Sequence, residues 1–287
     1  MVQTGGIGVW SGQLRSGDPG EIADAAAELE SLGFGTIWVP GRGPADLESS
    51  LRVLLGATER LTVATGIVSI WTHPARETAE LHARLGTEFP GRFLLGVGVS
   101  HASSVEREGG EYRRPLTAMT AYLDALDAAD PAVPSDERII AALAPRMLAL
   151  ARDRSLGTHP YLVTPEHTRI AREALGPAAL LAPEQTVVVE EDPDRARAIA
   201  RAWLEPYLRL PNYVRNLLSL GFEQADVEQG GSDRLVDEAV AWGSVEAIRA
   251  RIDAHRAAGA DQVAIQVPTE PGRIPRADWR ALGTALA

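Results

Sequence analysis

Arg92-Phe93-Leu94-Leu95-Gly96-Val97-Gly98-Val99-Ser100-His101 is an apolar run with interleaved glycines that stops at a histidine. Unbroken apolarity over about seven residues suits a strand covered on both faces, the condition found in a parallel sheet. Gly96 and Gly98 strip side chains from one face of that strand, leaving room for a flat ligand or a second backbone. His101 then stands at the strand's carboxyl end. Parallel α/β folds bind their ligands at that end, so position alone makes His101 a candidate for chemistry. The plain alternative is a capping or hydrogen-bonded loop histidine.

Upstream of this run, 7–10 and 36–39 read as short apolar strands and 61–70 as a longer one, with helices over 21–32, 46–58 and 75–89. Gly33 ends the first helix, Pro40 to Pro44 close the second strand, and Pro90-Gly91 turns the third helix into the run. Downstream, a polar loop at 103–114 leads to a helix that Pro115 opens and that reaches 128. Further strands are expected at 138–143, 160–163, 186–189 and 262–267. Helices are expected at 145–153, from Pro165 onward, at 194–220 with breaks at Pro206 and Pro211, and at 245–258 behind Ser244 as N-cap. The stretches 129–136 and 221–233 read as loops.

Eight strands alternating with helices, with no repeat of a second kind, describe a (β/α)8 barrel; a doubly wound sheet is the alternative. No low-complexity segment or linker divides the 287 residues, so 1–287 is read as one domain.

Composition narrows the chemistry. The net charge is -11 with no basic block, which argues against a nucleic-acid or anionic-membrane partner. The N-terminus lacks a basic segment followed by an apolar core, and no apolar run approaches the roughly 20 residues of a membrane span, so a soluble cytoplasmic protein is expected. Cysteine is absent, which removes thiol nucleophiles, disulfides and thiolate metal sites together. Lysine is absent too, so all 28 basic residues are arginine. Schiff-base chemistry needs an amine that can lose its proton, and a guanidinium cannot replace it.

Gly96-Val97-Gly98 lacks the third glycine of a dinucleotide fingerprint, and no acidic residue follows at the expected distance. His73, His82 and His101 do not fall at metal-ligand spacings, and neither Gly-x-Ser-x-Gly nor His-Glu-x-x-His occurs, so no metal is expected and serine hydrolysis is disfavoured. Trp10 and Trp71 fall at carboxyl ends of expected strands, where they could wall a flat aromatic ring. Leu143-Ala144-Pro145-Arg146 and Thr164-Pro165-Glu166-His167 each put proline in a first helical turn, and two adjacent helix N-termini make a credible phosphate site. Ordinary helix starts are the alternative for both.

Leu32-Gly33-Phe34-Gly35-Thr36-Ile37-Trp38-Val39, Ala64-Thr65-Gly66-Ile67, Trp71-Thr72-His73-Pro74-Ala75 and Pro90-Gly91-Arg92-Phe93-Leu94-Leu95-Gly96-Val97-Gly98 resemble the luciferase-like oxidoreductase superfamily. Val99-Ser100-His101-Ala102 and the stretch His159-Pro160-Tyr161-Leu162-Val163-Thr164-Pro165-Glu166-His167-Thr168 are most similar to the coenzyme F-420-dependent oxidoreductases within it. The resemblance covers about 6–268.

It implies a luciferase-like (β/α)8 TIM barrel, usually in a homodimer, holding a deazaflavin or flavin over the carboxyl ends of its strands. In the deazaflavin-dependent relatives a non-prolyl cis peptide after strand three forms a bulge against the ring, and the matching pair is Gly66-Ile67. Phosphate-binding backbone maps onto Leu143 and Ala144, with Thr164 and His167 as side-chain candidates. Trp10, Val68, Trp71 and Tyr161 complete the implied cofactor site.

Two departures stand out. Sugar-phosphate dehydrogenases of the superfamily carry an Asp-His pair where this chain has Gly41-Arg42, so that activity is not expected. Their acidic proton donor after strand four corresponds to His101, which can shuttle a proton near neutral pH. The resulting expectation is hydride transfer between coenzyme F-420 and a small organic substrate, with His101 exchanging the proton. The rivals are an FMN-dependent monooxygenase, which needs a reductase partner and oxygen, and a non-catalytic flavin- or deazaflavin-binding protein.

Overall fold

Strand and helix alternate through the computed structural model, which describes residues 3–42, 46–107 and 109–286. Gly43 and Pro44, expected in the turn after 36–39, lie outside the described residues. The first half contains β1 (Ile7–Trp10), α1 (Pro19–Ser31), β2 (Thr36–Val39), α2 (Leu47–Gly56), β3 (Thr62–Thr65), β4 (Val68–Ser69), α3 (Ala75–Glu88), β5 (Phe93–Gly98), α4 (Ala102–Arg107) and α5 (Pro115–Asp127). Next come β6 (Arg138–Ile140), α6 (Pro145–Arg154), β7 (Gly157–Thr158), α7 (Pro165–Leu175), β8 (Leu180–Leu181) and β9 (Glu184–Val188). The chain finishes with α8 (Pro193–Leu204), α9 (Pro211–Ser219), α10 (Asp233–Ala239), β10 (Val240–Trp242), α11 (Val245–Ala257), β11 (Val263–Gln266) and α12 (Arg276–Leu286). None of these helices is long and apolar enough to cross a membrane.

All strand pairs are parallel, in the order β10-β9-β11-β1-β2-β3-β5-β6-β7-β8, with β4 beside β5. The ring closes through 180–184. Leu180, Ala182 and Glu184 donate their N–H groups to the carbonyls of Leu156, Thr158 and Pro160, while Leu181 and Pro183 accept from Asp261 and Ala264 on the other side. β10 is an addition paired to the outer end of β9, with Val240 opposite Thr186. This is the expected (β/α)8 barrel, and strands buried on both faces account for its near-continuous apolar runs. All six residues of β5 are buried.

The lumen is filled by one large side chain among smaller ones. Trp38 packs with Ala64, Leu94, Ile139, Ala182 and Ala264, and its indole N–H donates to Gln262 Oε1 at 2.8 Å. The barrel is therefore a packed core with a floor, and a cavity opens at its mouth.

Several expected elements differ. The strand at 61–70 is split into β3 and β4 because Gly66-Ile67 leaves the sheet; the Thr65 hydroxyl takes over the ladder, donating to Gly96 O and accepting from Gly96 N, each at 2.8 Å. Gly96 allows this, since a Cβ there would lie 1.8 Å from Thr65 O. The sixth strand is Gly157–Thr158, not 160–163: Leu162 N–H turns to the buried Glu184 carboxylate at 3.1 Å and Leu162 adopts a φ of 54°, so the ladder stops. The loop at 103–114 opens with α4. The 194–220 segment breaks around Pro206 and Pro211 as expected. β8 and β10, two and three residues long, were not expected as strands.

Candidate active site

At the mouth of the barrel a cavity of about 380 Å³ opens among the loops that follow β1, β3, β5, β6 and β7. A larger recess of about 540 Å³ lies beside it and shares Arg42, but its wall carries Asp46, Glu48, Glu77, Arg15 and Arg84, charges of both signs. The smaller cavity is apolar with a few convergent polar groups, the usual character of a ligand site.

His101 enters it from the end of β5. The strand ends at Gly98, Ser100 takes a left-handed φ of 53°, and the His101 carbonyl accepts from Ser104 and Val105 as α4 begins. A non-glycine residue in that conformation is uncommon. Its ring is half-buried against Tyr213 at 5.2 Å, and Nδ1 lies 2.9 Å from Asn212 Oδ1. Burial pushes the imidazole below its ordinary pKa, with the Asn212 hydrogen bond acting in the opposite direction. The neutral form therefore dominates at neutral pH.

Gly66 and Ile67 line the cavity, and the peptide between them is cis, as the resemblance implies. Ile67 leans on the glycine face of β5, since a Cβ at Gly98 would meet its side chain at 2.7 Å. Trp10 lines the wall beside them, donating its indole N–H to Gly66 O at 3.3 Å. A Cβ at Gly66 would approach Trp10 Nε1 to 2.6 Å and His159 Nε2 to 3.2 Å, so only glycine fits there. His159 stacks on Trp38 at 4.0 Å and donates from Nδ1 to Ala182 O at 2.6 Å; burial pushes it down to about 4.

Leu143, Ala144 and Tyr161 also line the cavity. Ala144 caps α6 without a side-chain hydrogen bond, so the first turn of that helix presents backbone N–H groups. Thr164 and His167 are buried behind this wall. Thr164 caps α7 by accepting from His167 N, and His167 Nε2 bonds Leu143 O at 3.0 Å, bracing the turn that faces the cavity. Val68 is in the core, and Trp71 stands one layer back, its indole N–H on Val99 O at 2.7 Å and its ring 5.5 Å from that of Tyr112, a lining residue. The structure thus brings His101, Trp10, Gly66, Ile67, Leu143, Ala144 and Tyr161 together around one space, with Val68, Trp71, Thr164 and His167 outside it.

Sequence reasoning did not find the other side of the cavity. Tyr207, Asn212 and Tyr213 come from the segment 189–239, inserted between β9 and β10. This segment has its own apolar cluster, including Ala196, Leu204, Leu217, Phe222 and Leu235. Tyr207 lies 2.8 Å from the Tyr161 hydroxyl, which donates to Gln266 Oε1 at 2.7 Å. Burial keeps both phenols protonated, Tyr161 well above its usual value and Tyr207 at about 12. The available signal was the pair of prolines that break the helix beside these tyrosines.

The profile described as Luciferase-like monooxygenase matches residues 4–262. A 5,10-methylenetetrahydromethanopterin reductase of Methanolobus tindarius is 30% identical over 98 residues, a match spanning 34% of this chain and 30% of that protein. An F-420-dependent secondary alcohol dehydrogenase, solved with an F-420-acetone adduct, superposes with a TM-score of 0.74 at 16% identity, covering 99% of this chain and 98% of the other. The oxygenating constituent of 3,6-diketocamphane monooxygenase from Pseudomonas putida, a type II Baeyer-Villiger monooxygenase solved with FMN, superposes with a TM-score of 0.72 at 12% identity, covering 97% of this chain and 96% of the other. At these identities the structural likeness establishes the fold. With the family profile spanning nearly all of that fold, the chain belongs to the luciferase-like monooxygenase family.

Proposed function

We propose that this chain is an oxidoreductase that exchanges a hydride between coenzyme F-420 and a small organic substrate, with His101 exchanging the accompanying proton. The observation that carries the reading is the meeting of a neutral histidine with a shelf, the Gly66-Ile67 bulge seated on Gly98, in one apolar cavity. A flat ring would rest on this bulge, which lies low because Gly98 leaves Ile67 room against β5. Trp10 and Tyr161 would wall the ring, and Leu143 and Ala144 at the uncapped start of α6 would hold its phosphate. When bound, the deazaflavin supplies a carbon that accepts or donates hydride. His101 Nε2 takes the hydroxyl proton when an alcohol is oxidised and returns it to the oxygen when a carbonyl is reduced. Tyr161, Tyr207 and Tyr213 exclude water above the shelf. The substrate is small because ring and substrate share about 380 Å³.

A second reading, an FMN-dependent monooxygenase, draws on the diketocamphane monooxygenase neighbour. Tryptophan-fluorescence titration of the purified protein with each cofactor separates the two, because Trp10 lines the cavity. Tighter binding of coenzyme F-420 is expected, and equal or reversed affinities would transfer the assignment to the monooxygenase. The homodimer belongs to the same reading, and light scattering checks it.

A further inference from the structure

We infer that Asn212 is a positioning residue for His101, holding the imidazole as its Nδ1–H tautomer so that Nε2 is the nitrogen presented to the reacting atoms. The inference rests on the reading of His101 as the proton-exchanging group, and it adds a partner from outside the barrel wall.

The contact between Nδ1 and Asn212 Oδ1 is 2.9 Å, and it is the one side-chain hydrogen bond of His101 among the described residues. An amide oxygen can only accept, so Nδ1 carries the proton; a neutral imidazole has a single N–H, so Nε2 carries the lone pair. Nothing on the His101 side of the cavity would impose that choice, because the loop after β5 offers the ring no acceptor of its own among the described residues. The next residue in sequence, Tyr213, packs its ring 5.2 Å from the imidazole at 49°. One turn of α9 therefore supplies both the hydrogen bond and the packing. That turn is anchored from beneath, since Tyr213 and Leu217 are buried in the apolar cluster of the 189–239 segment. The orientation of a barrel histidine is thus set by a segment that is not part of the barrel.

The chemical nature of the partner matters as much as its position. A carboxylate on Nδ1 would stabilise the imidazolium and make it a reluctant acid. A neutral amide orients the ring without adding that charge, so a proton taken by Nε2 is readily given back. This suits a group that must serve both directions of a redox step.

Two variants test the proposal, Asn212→Leu, which removes the acceptor at similar volume, and Asn212→Asp, which keeps an acceptor and adds a charge. The first readout is 15N-histidine NMR of the ligand-free chain. Wild type should show His101 as the Nδ1–H tautomer, Asn212→Leu should lose that preference, and Asn212→Asp should keep it while raising the His101 pKa. The second is turnover with coenzyme F-420. Asn212→Leu should lower kcat on the order of 10²-fold with KM little changed, the scale of a misplaced catalytic group, and Asn212→Asp should shift the acid limb of the kcat profile upward in step with the NMR titration.

The other titratable or charged groups facing the cavity are Tyr112, Tyr161, Tyr207, Tyr213, His159 and Arg42. Burial raises the four phenols and pushes His159 down to about 4, so none of these five moves through the neutral range; Glu184, behind the tyrosines and pushed up to about 7, does, which is why the kcat profile is read against the NMR titration of His101 itself. An unchanged His101 tautomer in Asn212→Leu, or an unchanged His101 pKa in Asn212→Asp should the leucine variant not fold, overturns the pairing. NMR shifts as expected alongside a fully active His101→Ala would leave the contact standing and remove the proton-transfer reading, and with it the catalytic meaning of Asn212.

Discussion

The cavity has two unlike halves. The barrel half is built from strand ends whose side chains are fixed by a sheet buried on both faces, and it contributes the glycine shelf, Trp10 and His101. The half that comes from 189–239 rests on a smaller apolar cluster and contributes phenols and one amide, Tyr207, Tyr213 and Asn212. On the proposed function, the barrel half would determine where a ring and a proton carrier can be, while the inserted half would determine how that carrier is turned and what is kept out. Variants on the two sides should accordingly fail in different ways.

The sharpest break between the halves is expected at His101. His101→Ala should lower kcat by roughly 10²–10⁴-fold, the usual contribution of a general acid–base, with cofactor affinity nearly unchanged because Leu143 and Ala144 lie in a different loop, the one between β6 and α6. Steady-state kinetics beside a cofactor titration measures both, and a loss of affinity in proportion to activity would make His101 a packing residue.

The barrel half should also be the less forgiving of volume. A methyl group at Gly96 would sit 1.8 Å from the Thr65 carbonyl, which is backbone and cannot step aside. Gly96→Ala should cost at least about 3 kcal/mol, the upper end of ordinary overpacking. Urea denaturation gives the number, and a neutral result would mean that the β3–β4 bulge is free to move.

Glu184 lies where the halves meet, and burial pushes its carboxyl up to about 7. A raised folded pKa means that the folded chain binds the proton more tightly than the unfolded one. Its contribution to stability is complete below about pH 4.5 and is lost as pH rises to about 7. Glu184→Gln should remove this loss, leaving the variant ahead of wild type at pH 8 by on the order of 3 kcal/mol relative to their difference at pH 4. Chemical denaturation of both proteins at the two pH values checks it, and parallel pH dependences would count against the buried protonated carboxyl.

The smallest effect is expected on the inserted side. Tyr207→Phe removes one hydrogen bond from a Tyr161 hydroxyl that still donates to Gln266, so about 1 kcal/mol of stability should go. Turnover should stay within a few-fold of wild type. A kcat loss comparable to that of His101→Ala would erase the distinction between a chemical half and a covering half.

The amino-acid sequence by itself determined the alternation of strand and helix, the barrel, the delivery of His101 at the end of β5, and the break of the long helical segment at Pro206 and Pro211. These depend on local periodicity, on burial of both strand faces and on residues that end elements, all of which are written along the chain. Only the tertiary structure decided that Thr65 bridges the gap left by Gly66-Ile67, that His167, on the helix Thr164 caps, braces the Leu143 turn from behind, and that Asn212 contacts His101 across 111 positions of sequence. Contacts of that kind depend on which loops meet above the barrel. Their partners are ordinary polar residues, and no periodic pattern or short motif connects an asparagine at the start of one helix to a histidine more than a hundred residues before it.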